Sequence, residues 1–368
     1  SAFETSVAGG LLRRGSAQAA APRRLYPQYR TLEAMASVLP LGLSRGLLAY
    51  LDGFPHPCTE QLVSRAFVAL ILQKHQELGY RPEKSQSVIA GTLHTLRARQ
   101  NAEGAFGFWA ANSDLDPFQT IYAVHFLTQA KEAGVDVSAG LFNRALAFIE
   151  SAAADSTASP LSPRHRAYAL YILTRNGRVT TDRLEALRRG FSPKDLSWRR
   201  DITAAYMASA YKLLRLDAQA ESLIKQVHFE EFKRDQCDYG SYYDGLAHNA
   251  QLLALTARHF PDRMLQLRQK DWDFVVEPVI NNQFNTLTAA YAVLAFDAAA
   301  GTLGATEARA AEVGASGRKE LVLSQVLFRK AGFSPQASAI DFTVPGSGPL
   351  FYQAIQSGFD LTPPADRL

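Results

Sequence analysis

The chain is poor in sulfur and in long apolar runs. Of its 368 residues only two are cysteine and three methionine. Two cysteines, Cys58 and Cys237, cannot build a disulfide framework, so their number says nothing about a redox compartment. No apolar run approaches the roughly twenty residues that a membrane-spanning helix needs, and mean hydropathy is -0.12. One-sided charge is lacking too: 39 Lys and Arg face 35 Asp and Glu, a formal net charge of +4, with the basic residues scattered rather than striped. No motif of an RNA- or DNA-binding module is present, so an ordinary solvated surface accounts for that balance and nucleic acid is not an expected partner. The opening SAFETSV lacks a methionine and a charged-then-apolar signal segment, and reads as a piece of something longer.

What the chain has is core-forming material, 47% of its residues, arranged as a repeat. SRAFVALIL (64–72), TIYAVHFL (120–127), HRAYALYIL (165–173), TAAYMASAY (203–211), AHNAQLLAL (247–255) and TAAYAVLAF (288–296) share a small, aromatic and apolar pattern. With Tyr122, Tyr168, Tyr206, Asn249 and Tyr291 as equivalent points, the steps are 46, 38, 43 and 42 residues. Each step has room for a second, more polar helix, such as AGLFNRALAFIESAA or TDRLEALRR. Helices apolar all round are buried and helices with one apolar stripe lie outside them. The expected fold is therefore mainly α, a closed α/α toroid of about six helical hairpins rather than an open solenoid.

The ends differ. ASAIDFTV (337–344) and GPLFYQAIQSGF (348–359) alternate or run apolar between turn signals, as does KELVLSQVLFRK (319–330), and all three read as strands. The first thirty-odd residues have little helical periodicity, with GSAQAAAPRR as a loop, and a helical pattern starts near RTLEAMASVL. The expectation is a small β-sandwich formed by the two ends (1–35 and 310–368) with the toroid (36–309) inserted.

Chemistry concentrates in PHPCTEQ. Cys58 and Gln61 are three residues apart at the start of the first inner helix, hence on one face of one turn. A packing cysteine, a catalytic thiolate and a pair that react with each other are the three readings. His56 is poorly placed around a proline to activate Cys58, and a Cys58–Cys237 disulfide has no supporting pair. Asp235, Cys237 and His248 are legitimate zinc ligands without a second cluster to complete the set. Asp116, with Asp114, precedes the second inner helix as a cap.

Pro57-Cys58-Thr59-Glu60-Gln61, opening the first inner helix, resembles the thioester motif of α-macroglobulins and complement thioester proteins. QNAEGAFGFW (100–109), DYGS (238–241) and the tail GSGPLFYQAIQSGFD resemble the bacterial branch. The likeness covers nearly the whole chain and implies a thioester domain inserted in a CUB-like module. It implies that Cys58 and Gln61 are the bond-forming pair with Glu60 supporting, and that no cofactor is needed. The implied function is a single-use trap: after protease cleavage elsewhere, the thioester captures a lysine amine of the attacking endopeptidase. Neighbouring macroglobulin domains would shelter the bond, and the implied location is the periplasm or cell surface. Pro57 stands where the family usually has glycine. The histidine by which complement relatives transfer to hydroxyls has no clear counterpart, His165 being nearest, so amines are the expected acceptors. A non-reactive toroidal binding module and an isoprenoid-processing toroid enzyme are the other classes in play.

Overall fold

The computed structural model describes residues 4–12, 14–37, 47, 50–51, 58–75, 82–112, 115–154, 161–233, 237–238, 240, 242–281, 283–303, 308–324, 328–344 and 350–362. The chain divides into two compact units: Ser1–Arg45 with Ala300–Leu368, and Gly46–Ala299.

The first unit is made of two small antiparallel sheets. Strands β1 (Glu4–Leu12), β2 (Gly15–Ala20) and β3 (Thr31–Ser37) come from the N-terminal end. Strands β4 (Arg309–Gly314), β5 (Gly317–Leu321), β6 (Phe328–Gly332), β7 (Ala337–Val344) and β8 (Leu350–Gly358) come from the C-terminal end. One sheet has the order β1-β8-β3-β6, in which strands from the two ends alternate, and the other β2-β7-β4-β5, in which β2 adds the N-terminal end at one edge. Alternate residues from the two sheets meet in one apolar core that includes Ala19, Ala34, Ala310, Ile340, Phe342 and Leu350. Arg23 fastens the two ends: its guanidinium makes a two-pronged pair with Asp360, both bonds 2.9 Å, and donates to the Gln356 carbonyl at 2.9 Å.

Two segments differ from the sequence expectation. GSAQAA, read as loop, is β2, paired along its length with β7. Thr31–Ser37, read as the start of a helix, is an inner strand bonded to β8 on one side and β6 on the other. Leu, Glu, Met and Ala favour helices locally, but pairing on both edges outweighs a propensity worth a few tenths of a kcal/mol per residue.

The second unit is helical. In chain order it contains α1 (Thr59–Leu72), α2 (Pro82–Arg99), α3 (Pro117–Glu132), α4 (Ala139–Ala152), α5 (Pro163–Arg175) and α6 (Thr181–Gly190). Then come α7 (Ile202–Leu213), α8 (Asp217–Ile224), α9 (Gly245–His259), α10 (Gln269–Ile280) and α11 (Thr286–Leu303). The odd-numbered helices are the six apolar repeats. The even-numbered ones bury a stripe, Leu141, Phe142, Ala145, Leu146 and Ile149 in α4 and only Leu184 and Leu187 in α6.

The odd helices run parallel and start at one end of the unit. Their starts are fixed by the same device, a side chain that accepts a backbone N–H of the first turn. Asp116, Ser162, Asp201 and Asp244 cap α3, α5, α7 and α9, and Asn285 accepts from the Thr288 N–H at α11. One and a half to two turns past each start lies a polar residue facing the middle: Ser64, Tyr122, Tyr168, Tyr206, Gln251 and Tyr291. Ser64 Oγ and the Tyr122 hydroxyl are 3.0 Å apart, the rings of Tyr168 and Tyr206 stack at 4.7 Å, and Tyr206 donates to Gln251. Tyr122 meets Tyr291 edge to face at 5.7 Å. Gln251, not Asn249, is the repeat's equivalent residue in α9. Asn249 lies on another face of the helix and bonds the backbone of Glu230. At the far end Arg175 and Arg258 share the Glu132 carboxylate, both at 2.7 Å. The last helix returns to the first: Thr286 reaches Glu60, and Asp297 accepts from His75 at 3.0 Å.

Candidate functional site

At α1 the capping residue is Cys58. It has extended backbone angles and stands where the other odd helices carry Asp, Ser or Asn. Its partner three residues on is Gln61, and the two form a reciprocal capping box: the sulfur accepts from the Gln61 backbone N–H, and the Gln61 carboxamide accepts from the Cys58 N–H. The Cys58 N to Gln61 Oε1 distance is 3.1 Å. One local hydrogen-bond pattern thus holds the thiol and the side-chain amide together. His56 and Pro57, and with them the PHP entry and the departure from glycine, lie outside the described residues.

This arrangement has a chemical direction. A backbone N–H aimed at the carboxamide oxygen polarises the carbonyl and is placed to stabilise negative charge on that oxygen when a nucleophile adds to the carbon. The sulfur is the nearest such nucleophile within the box. Burial pushes the Cys58 thiol up from its ordinary value, the N–H groups of Gln61 and Glu60 pull it down, the Glu60 charge raises it and Arg99 lowers it. The N–H groups of the helix N-terminus thus favour the thiolate, but loss of water is the larger effect. Where the thiol is free, burial favours its protonated form over the thiolate.

Glu60 is more than a first-turn carboxylate facing the helix dipole. It is 7% exposed, accepts from Ser64 Oγ at 2.6 Å, and takes the Thr286 hydroxyl at 2.9 Å. Burial raises its pKa and the two hydroxyls partly restore it. Through Ser64 it connects to Tyr122, so the carboxyl ties the first, second and last odd helices together immediately behind the Cys58–Gln61 turn.

Thr59, Arg99, Gly107 and Thr120, to none of which the sequence assigns a role, complete the surroundings. Thr59, in the variable position of the motif, donates from its backbone to the Phe108 carbonyl at 3.1 Å and from Oγ1 to the Gly107 carbonyl at 2.6 Å. Arg99, the last residue of α2, donates from Nη1 to Thr59 Oγ1 at 3.1 Å and to the Phe108 carbonyl at 3.0 Å. Gly107 is obligatory there: a Cβ would sit 2.0 Å from the Ala110 carbonyl oxygen. The turn itself is anchored by the Phe106 N–H on Thr120 Oγ1 at 3.0 Å. FGFW is therefore attached to the start of α1, with Trp109 58% exposed beside Arg99.

The competing sites are occupied otherwise. Both ring nitrogens of His248 are engaged, Nδ1 with the Tyr243 hydroxyl at 2.6 Å and Nε2 with the His228 carbonyl at 3.0 Å. Cys237 is half-buried near the Lys233 carbonyl, and Asp235 lies outside the described residues. Among the described residues no group of three His, Cys, Asp or Glu side chains could hold a metal ion. Asp116 accepts from the Phe118 N–H as a helix cap, and Asp114 is not described. His165 packs on the Phe118 ring at 4.9 Å. Among the described residues no helix is long and apolar enough to cross a membrane.

The architecture matches that of bacterial macroglobulins. The native E. coli alpha-2-macroglobulin superposes with a TM-score of 0.67 at 18% identity, over 99% of this chain and 23% of that one. Salmonella alpha-2-macroglobulin reacted with methylamine gives 0.65 at 20% identity, over 99% of this chain and 24% of that one. No family model matches. In sequence, the alpha-2-macroglobulin of Rickettsia conorii is 32% identical over 367 residues, 97% of this chain and 19% of that protein. An alpha-2-macroglobulin homolog of Yersinia pestis is 31% identical over 359 residues, 94% of this chain and 18% of that protein. The chain belongs to the alpha-2-macroglobulin family, and it spans about a fifth of the length of these curated relatives.

Proposed function

We propose that this chain is the reactive part of a bacterial protease trap: an α/α toroid, inserted in a CUB-like module, that carries an internal thioester between Cys58 and Gln61. The observation that supports it best is the reciprocal box, with sulfur and carboxamide on one turn and the Cys58 N–H on the carboxamide oxygen at 3.1 Å. In bond formation Cys58 Sγ adds to Gln61 Cδ, the negative charge on Oε1 is met by the Cys58 N–H, and the amide nitrogen leaves as ammonia with the thiol proton. In capture an amine adds to the same carbon, the carbon–sulfur bond breaks, and the amine's proton ends on the sulfur. An amide at position 61 and a free thiol at Cys58 remain, so each molecule reacts once and the protein inhibits proteases rather than turning over substrate.

Relatives support the chemistry and the partners. The Salmonella protein was reacted with methylamine, and the E. coli protein was activated by porcine elastase in one structure and by trypsin in another. By this reading the partners are endopeptidases presenting lysine amines, the other macroglobulin domains shelter the bond, and the protein acts in the periplasm or at the cell surface. Intact mass of the full-length protein tests it. The protein is expected to be lighter by one ammonia than its sequence requires, and Cys58→Ser to have its full mass. Full mass and a titratable Cys58 thiol in freshly isolated full-length protein would leave a non-reactive scaffold.

A further inference from the structure

The hydrogen bonds around α1 place a permanent cation beside the reactive turn. Arg99 comes from a different helix, and its Nη1 donates both to Thr59 Oγ1 and to the Phe108 carbonyl. That carbonyl also takes the Thr59 N–H, so the guanidinium closes a ring linking the end of α2, the 107–108 turn and the residue that follows the cysteine. The exposed indole of Trp109 flanks it, with its ring centroid 5.8 Å from the guanidinium carbon.

We propose that Arg99 is a positioning residue for the thioester: it locks the 107–108 turn against α1 and compensates the charge of the sulfur as it leaves. This rests on the trap reading above. When an amine adds to Gln61 Cδ and the carbon–sulfur bond breaks, the electron pair goes to Cys58 Sγ as a thiolate until a proton reaches it. Among the described residues two charged groups act on that sulfur, Glu60 from its own helix and Arg99 from α2. Glu60 opposes the thiolate. Arg99 is the group that favours it, and its charge persists at any working pH. Burial lowers the Arg99 pKa and the Cys58 charge raises it, the reciprocal of the effect on the thiol.

The test uses the full-length protein after treatment with methylamine and follows iodoacetamide alkylation of Cys58 against pH, read in the tryptic peptide from Gly46 to Arg65. Arg99→Gln removes the charge and is expected to move the alkylation midpoint upward by roughly 0.5–1 pH unit, a three- to tenfold loss of thiolate below the midpoint. Arg99→Lys keeps the charge and is expected to stay near the unsubstituted midpoint. Arg99→Met supplies the neutral comparison should the glutamine variant not fold. A neutral variant with an unmoved midpoint overturns the proposal, as does a lysine variant shifted as far as the neutral one. A side chain that acted only by packing would leave the midpoint in place. The profile can be measured on a free Cys58 thiol whether or not the thioester forms, so failure of this inference and failure of the trap reading, which shows in intact mass, are separate results.

Discussion

Gly107 shows how narrow the tolerance is around the reactive turn. It gives the backbone room to fold over, so that its own carbonyl and that of Phe108 both reach Thr59. A methyl group there meets the Ala110 carbonyl oxygen at 2.0 Å and Asn112 Oδ1 at 2.8 Å, and the first of these is backbone that cannot step aside. Gly107→Ala is expected to open the turn and destabilise the helical unit by about 1–3 kcal/mol. It is also expected to reduce the fraction of molecules that react with methylamine. Thermal melting and intact mass read the two effects, and an unchanged melting temperature would contradict the geometry. Little of this was legible in sequence. Cys58 and Gln61 stand out because an i, i+3 spacing is local, and Glu60 stands beside them. Ser64, Arg99, Gly107 and Thr286 enter through contacts between segments far apart in the chain, which no spacing rule reveals. Thr59 occupies a variable position of the motif, and its importance comes from what lies opposite it.

Among the elements, the odd-numbered helices were readable and the N-terminal strands were not, for one physical reason. A helix satisfies its backbone within itself, so its apolar pattern and caps are written along a continuous stretch. Strands β2 and β3 find their partners more than 290 residues away in β6, β7 and β8, and nothing in TLEAMAS or GSAQAA reports that pairing. The packing of the odd helices also has a consequence for pH. His259, at the end of α9, bonds the Tyr171 hydroxyl at 2.8 Å. Burial pushes its pKa down to about 3, with Arg258 and Arg175 adding to the shift, against ~6.5 in an unfolded chain. The folded state therefore binds fewer protons than the unfolded one between these values. The stability linked to the neutral ring is complete above ~6.5 and is lost as pH falls from there towards 3. At pH 5 the loss is on the order of 2 kcal/mol. His125 on α3, partly buried, and His248 on α9, buried, shift in the same direction. Melting at pH 5 is thus expected to come well below melting at pH 8, and His259→Gln is expected to narrow the gap. A variant with the same gap as the unsubstituted protein would show that His259 is not the group responsible.

For the whole molecule, the chain combines a helical unit whose repeated caps converge at one end with a sheet unit woven from both chain ends. In five of the six odd helices the cap is an ordinary oxygen acceptor; in the first it is a sulfur paired with a carboxamide. The scaffold thus turns a stabilising motif, worth about 1 kcal/mol in its usual form, into a candidate covalent bond. The acceptor preference belongs to this scale. With His165 packed on Phe118, amines are expected to be taken up well ahead of hydroxyls, and comparing labelled methylamine with labelled glycerol incorporation checks it; efficient glycerol uptake would show that another group transfers the acyl chain. The most direct measurement concerns Gln61 itself. Full-length protein is treated with methylamine and digested, and the peptide Gly46–Arg65 is sequenced by mass spectrometry. The expected result is methylamine in amide linkage at Gln61, an alkylatable thiol at Cys58, and neither change at Gln61 in Cys58→Ser. An unmodified Gln61 in freshly isolated, unsubstituted protein would contradict the account.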